Sequence, residues 1–240
     1  MNKLWGPVGA ALAVHMVPSV VSLGQWVPVR ALPGNLCRWR GPADGAVALT
    51  FDDGPSPDTT PQVLDRLDEL DLVATFFCVG SLVEANPDLV KEALGRGHQV
   101  EVHGHRHRHH FLRTPWWVQA DLDAAVDALM AAGARPRWFR PPFGQTTGAT
   151  MLAARRHRLG LALWSVWGRE WAEPDAMAVA TRVCRHLTAG DIVLLHDTDR
   201  YSPPGSSRRA LDALGPIASD LHQKALRAVT LEQLVGAGGS

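Results

Sequence analysis

The stretch AVALTFDDGPSP, residues 46–57, runs a β-forming segment straight into two adjacent aspartates and a Gly-Pro turn. Such a run, bounded by turn residues, reads as a buried strand whose end carries Asp52 and Asp53. Neighbouring carboxylates repel one another unless a cation or an opposite charge shares their site. Either one aspartate caps the turn through its side chain while the other is solvated, or the pair serves a metal.

Downstream, short β-rich runs alternate with longer stretches of helical spacing. Further strands are expected at 73–79, 98–102, 137–139, 161–166, 191–195 and 227–230, with helices at 61–70, 82–95, 116–132, 150–158, 175–187 and 206–223. Repetition of this β-α order predicts an α/β fold of parallel strands with helices outside. No G-x-G-x-x-G follows any strand, which favours a distorted (β/α)7-type barrel over an open dinucleotide-binding sheet. In such barrels chemistry collects at the carboxyl ends of the strands. Asp52 and Asp53, the histidines after Val102, Arg140, Glu170 with Trp171, and His196 all fall at such ends.

Composition narrows the function. The 240 residues hold 24 Lys plus Arg and 24 Asp plus Glu, so nothing attracts the chain to polyanions and nucleic acid is not an expected partner. A hydrophobic content of 46% suits one sizeable core. Cys37, Cys78 and Cys184 are odd in number and widely spaced, and read as free thiols. Residues 1–40 form a separate hydrophobic segment ahead of a domain at 41–240. The apolar run at 4–23, broken by His15 and Pro18, reads as a membrane anchor or as a strap packed on the domain. The cell envelope is slightly favoured over the cytoplasm, and oligomeric state is not legible.

The segment VHGHRHRHH, residues 102–110, concentrates about half of the 11 histidines. As a continued strand it would put His103, His105 and His107 on one face; as a helix it would set His103 and His107 one turn apart. Either way His103 and His107 can bind one ion, with Asp53 completing an open three-ligand site. A solvated His-rich tract is the alternative, and His105, His109 and His110 are read as surface surplus. Asp52 would then take a proton from water on the metal, whose pKa a catalytic Zn²⁺ lowers to about 7. His196 is the candidate acid for the leaving group, with Glu170 as a partner for its imidazolium. Arg140 can orient Asp52, and because Pro141 and Pro142 lack N–H groups, the Phe143 amide is free to face the mouth.

Taken in order, TFDDGP, H-x-x-x-H (His103, His107), RPPFG, REW, VLLHD and the closing VTLEQL resemble the polysaccharide deacetylases of the NodB-homology type, carbohydrate esterase family four. The resemblance spans residues 46–236. It implies a NodB homology domain, a divalent metal that is usually zinc, and hydrolysis of acetyl groups on a sugar polymer. By that resemblance Asp52 is the base, Asp53, His103 and His107 the metal ligands, Arg140 the support of the base, and the Phe143 amide a donor to the oxyanion. Trp171 and Leu195 would line the acetyl pocket, and His196, tuned by Glu170, would be the acid. The sequence departs from the family pattern at Gly104, where Ser or Thr is frequent, at Phe143, where Tyr is common, and at Glu170, where Asp is usual.

The expected function is metal-dependent N-deacetylation of peptidoglycan or a chitin-like polymer. Its rivals are a same-fold amidase or acetyl esterase acting on a small molecule, and a noncatalytic glycan-binding or metal-binding protein.

Overall fold

The computed structural model describes residues 37–236. Its strands are β1 (Cys37–Arg38), β2 (Ala46–Asp52), β3 (Thr75–Cys78), β4 (Gln99–Val102), β5 (Trp138–Phe139), β6 (Gly160–Ala162), β7 (Val166–Trp167), β8 (Ile192–His196) and β9 (Arg227–Val229). The helices are α1 (Thr60–Glu69), α2 (Gly80–Ala85), α3 (Pro87–Gly95), α4 (Pro115–Ala131), α5 (Gly148–Arg156), α6 (Ala176–Cys184), α7 (Ser206–Gln223) and α8 (Leu231–Val235).

The strand order is β1-β6-β5-β4-β3-β2-β8-β7, with β9 also on β2, and every pairing of named strands is parallel. Residues 160–167 belong to both ends of that path: β6 pairs with β5, β7 pairs with β8, and Ser165 N–H between them donates to the Ile192 carbonyl. The sheet is thereby curled into the expected distorted α/β barrel.

Both faces of β2 are covered, and all of AVALTFD is buried. Val47, Leu49 and Phe51 face the helices in the main core, whereas Ala46 and Ala48 join Phe77, Ala162, Ile192 and the α8 residues Leu231 and Leu234 in a second cluster. That second cluster fills the barrel below the site. Above it the same inward face continues with Thr50 and Asp52, since residues two apart share a side of a strand.

Three local differences from expectation have physical causes. The strand expected at 161–166 is split because the buried Arg140 guanidinium takes the carbonyls of Ala162 (3.2 Å) and Leu163 (3.0 Å). The helix expected at 82–95 breaks between α2 and α3 at Asn86, whose φ of −139° is the extended geometry favoured before a proline. Finally, the sheet begins at β1, which pairs with β6, and Arg40 reaches Asp191 at 3.1 Å, so residues 37–40 belong to the barrel rather than to the preceding segment.

Among the described residues no helix is long and apolar enough to cross a membrane. Residues 4–23 lie outside them.

Candidate metal centre and active site

Asp53, His103 and His107 are brought together at the carboxyl end of the barrel, with one potential ligand atom from each within 4.8 Å of the others. Asp53 Oδ1 stands 3.4 Å from His103 Nε2 and 3.2 Å from His107 Nε2. All three residues are buried. Asp53 leaves β2 with φ 84°, the left-handed region that side-chain-bearing residues rarely occupy. This reversal separates its carboxylate from that of Asp52 and gives the two aspartates different neighbours.

The histidine segment is neither a continued strand nor a helix: residues 103–109 form an irregular loop. Asp121 of α4 shapes it, accepting hydrogen bonds from the main-chain N–H groups of His105 (2.9 Å) and Arg106 (3.1 Å). Gly104 has φ 78°, and a Cβ there would lie 3.1 Å from Asp121 Oδ2. The absent hydroxyl at residue 104 is therefore offset by a carboxylate from another element, which sequence spacing does not reveal. Of the other histidines in the segment 102–110, His105 and His109 keep partial exposure. His110 is 1% exposed and packs near Phe139, so the surface-surplus reading is wrong for it.

This donor set fits a divalent cation. His103 Nδ1 lies 2.7 Å from the Arg140 carbonyl, an acceptor, which assigns the proton to Nδ1 and leaves the Nε2 lone pair facing Asp53. Asp53 Oδ1 is buried without a hydrogen-bond partner among the described residues. Burial opposes its charge, and positive charge on the surrounding imidazoles, in the place a bound cation would take, holds its carboxyl well below the ordinary range. Burial also pushes His107 below the usual imidazole value despite Asp53, in keeping with a neutral ligand. A carboxylate with two neutral imidazoles is a ligand set for zinc and related metals.

Asp52 borders this cluster. Its Oδ1 accepts from Arg140 Nη1 at 2.6 Å, and its Oδ2 stands 3.8 Å from His103 Nε2. Arg140 is itself fully buried, bonded also to Thr50 Oγ1 at 2.8 Å and lying 4.0 Å over the Phe77 ring. His196, the partner of Asp52 across β2 and β8, also borders it, with Nε2 3.9 Å from Asp53 Oδ2 and Nδ1 2.9 Å from Glu170 Oε1. Burial disfavours charge on His196, but Glu170, with lesser help from Asp53 and Asp52, more than offsets this and raises its pKa to about 9. The longer arm of Glu170 thus reaches the imidazole.

Trp171 is half-buried and meets His196 edge-on at 5.4 Å. Leu195 does not share that position. It pairs with Phe51, is 0% exposed and belongs to the outer core under Gly168, whereas Leu194 pairs with Thr50 on the face that carries His196. The inward leucine is Leu194, two residues before the histidine, because strand side chains alternate. Phe143 sits at the mouth with φ 60° and 47% exposure.

Asp121, Leu194 and Tyr201 also border the site, and no motif in the sequence singles them out. Tyr201, the chain's single tyrosine, stacks on His107 with ring centroids 4.2 Å apart.

A parallel barrel whose strand ends hold a carboxylate and two imidazoles beside a second carboxylate and a carboxylate-bound histidine defines a metal-assisted hydrolase. The family model described as polysaccharide deacetylase matches residues 40–162. A peptidoglycan-N-acetylglucosamine deacetylase of Bacillus cereus is 34% identical over 208 residues, covering 85% of this chain and 94% of the relative. A chitooligosaccharide deacetylase of Bradyrhizobium sp. is 36% identical over 193 residues, covering 79% and 85%. The crystal structure of a peptidoglycan N-acetylglucosamine deacetylase in complex with 4-naphthalen-1-yl-N-oxidanyl-benzamide superposes with a TM-score of 0.77 at 28% identity, covering 83% of this chain and 92% of that one. The chain belongs to the polysaccharide deacetylase family.

Proposed function

We propose that this protein is a zinc-dependent N-deacetylase of N-acetylglucosamine polymers, releasing acetate and leaving a free amine on the sugar. The observation that carries the reading is that Asp52 and His196, cross-strand neighbours, both border the Asp53–His103–His107 cluster, Asp52 Oδ2 3.8 Å from His103 Nε2 and His196 Nε2 3.9 Å from Asp53 Oδ2. A base and an acid bordering one electrophilic site are what amide hydrolysis requires.

Asp53, His103 and His107 would hold the ion, which supplies Lewis acidity to polarise the acetyl carbonyl and acidify water. Asp52 accepts the proton of the attacking water through Oδ2, while Arg140 fixes Oδ1. The Phe143 amide, the first N–H after the Arg140 amide in the R-P-P-F turn, donates to the developing oxyanion. His196, charged with the help of Glu170, delivers a proton through Nε2 to the departing nitrogen. Trp171 and Leu194 enclose the acetyl methyl group. The choice of substrate rests on relatives named for peptidoglycan and for chitooligosaccharides. Peptidoglycan is the favoured polymer, with the enzyme at the cell envelope and residues 4–23 as its membrane contact.

Acetate release from N-acetylglucosamine oligomers and from peptidoglycan, measured on zinc-loaded protein and on Asp52→Asn, tests the reading. Release that disappears in the variant supports it. Absence of release from both polymers by the wild type, with zinc bound, defeats it.

A further inference from the structure

Two exposed aromatic rings border the metal ligand His107. Tyr201 lies almost parallel to it, with centroids 4.2 Å apart and planes at 18°, and Phe143 meets it at 4.4 Å and 54°. On its far side Phe143 stacks on His109 at 3.7 Å and 14°. His107 itself is 7% exposed, yet Tyr201 and Phe143 retain 38% and 47% exposure. The rings therefore cover the ligand and still present apolar surface at the mouth. Covering the ligand accounts for their contacts, and both residues stay accessible beside the reacting centre.

Tyr201 is on the loop between β8 and α7, which is well tied down. Ser202 N–H donates to the Asp199 carbonyl, Arg200 N–H to Thr198 Oγ1, and the Asp199 carboxylate accepts from the N–H groups of Gly205 and Ser207. The ring is held in position before a ligand arrives, which lowers the entropic cost of binding.

We infer that Tyr201, with the ring of Phe143, forms the sugar-binding wall of the site, against which the pyranose bearing the acetamide rests. The inference rests on the deacetylase reading and names a specificity determinant for it. One nitrogen joins the sugar ring to the acetyl carbon, so a carbonyl at the Asp53–His103–His107 cluster brings the pyranose against whatever borders His107. Those borders are aromatic, with Tyr201 turning one face to His107 while staying 38% exposed, and aromatic rings pack well against the C–H face of a pyranose. The role belongs to the ring of Tyr201 rather than its hydroxyl, and it is one of positioning.

The test compares wild type, Tyr201→Ala and Tyr201→Phe, all zinc-loaded, on tetra-N-acetylchitotetraose and on the sugar-free ester 4-nitrophenyl acetate. Zinc affinity is measured alongside, and tetramer binding is followed by calorimetry in the Asp52→Asn background. Tyr201→Ala is expected to raise KM for the tetramer and weaken its binding about ten-fold, with a far smaller change in kcat, and to lower tetramer-over-ester preference to match. Tyr201→Phe should restore both, and zinc affinity should stay within about two-fold throughout. If zinc affinity and turnover of both substrates fall together in Tyr201→Ala, the ring merely supports His107 and the inference is overturned. An unchanged KM and tetramer affinity overturns it too. A wild type that binds the tetramer without releasing acetate counts against the deacetylase reading alone, and calorimetry on the variants then decides the sugar wall; a wild type that does not bind the tetramer overturns the inference.

Discussion

One carboxylate oxygen of Glu170 receives both hydrogen bonds offered by His196, the main-chain N–H at 2.6 Å and ring Nδ1 at 2.9 Å. Glu170 is wholly buried, so the pair fixes the imidazole in orientation and tautomer, with Nε2 turned to the mouth. On the proposed function, this pair would present a proton at one defined atom.

That pair gives the folded state a pH dependence. The His196 pKa is raised from 6.5 to about 9 in the fold, so its stabilising contribution is complete below pH 6.5 and is lost as pH rises through about 9. Glu170→Gln removes the main cause of the rise. In urea unfolding of the metal-free protein, the wild-type advantage over Glu170→Gln should be larger at pH 6.5 than at pH 9, shrinking as pH rises between them. A gap that does not vary with pH would contradict the assignment.

Arg140 is fully buried and paired with Asp52 at 2.6 Å, and the proposed function makes it the support of the base. Removing it leaves the Asp52 carboxylate buried without its partner, and breaking one side of a buried ion pair costs about 3–5 kcal/mol. Arg140→Met should lower the unfolding free energy obtained from urea titration by an amount of that order and abolish deacetylation even where the protein remains folded. Equal stability of variant and wild type would show that the pair carries no net weight.

Asp121 acts on the metal through the loop it holds. Asp121→Ala deprives the His105 and Arg106 amides of their acceptor and loosens the segment between the two histidine ligands. Outer supports of metal ligands typically contribute about 10–100-fold in affinity. Zinc competition with a chromogenic chelator should show weakening in that range, and Asp121→Asn should recover part of it.

The neighbouring leucines should separate cleanly. Leu195→Ala empties a fully buried core position and should destabilise by roughly 2–5 kcal/mol. Leu194→Ala should instead widen the acyl pocket, raising the propionyl-to-acetyl turnover ratio on acylated glucosamine oligomers. Reversal of these two phenotypes would return the pocket to Leu195.

Much of this site is legible in the chain because its chemistry is attached to strand ends. The all-buried β2 run, the D-D-G-P turn and the paired histidines place Asp52, Asp53, His103 and His107 before any coordinate is known. Arg140 and His196 follow for the same reason. What is not legible depends on the third dimension. The strand at 161–166 is divided by carbonyls that a distant arginine claims, and β1 owes its pairing to a neighbour far along the chain. Asp121 sits on a helix as an ordinary polar residue until the loop folds over it. Tyr201 lies in an irregular loop with no periodicity to single it out. The error at Leu195 is one of register by a single residue, which on a strand exchanges one face for the other.

Zinc titration of chelator-stripped protein, with acetate release from tetra-N-acetylchitotetraose followed at each step, tests the central claim most directly. Activity should rise in proportion to zinc and level off at one ion per chain, and His107→Ala should show neither tight binding nor release. Full acetate release by the stripped protein, or by His107→Ala, would contradict the account.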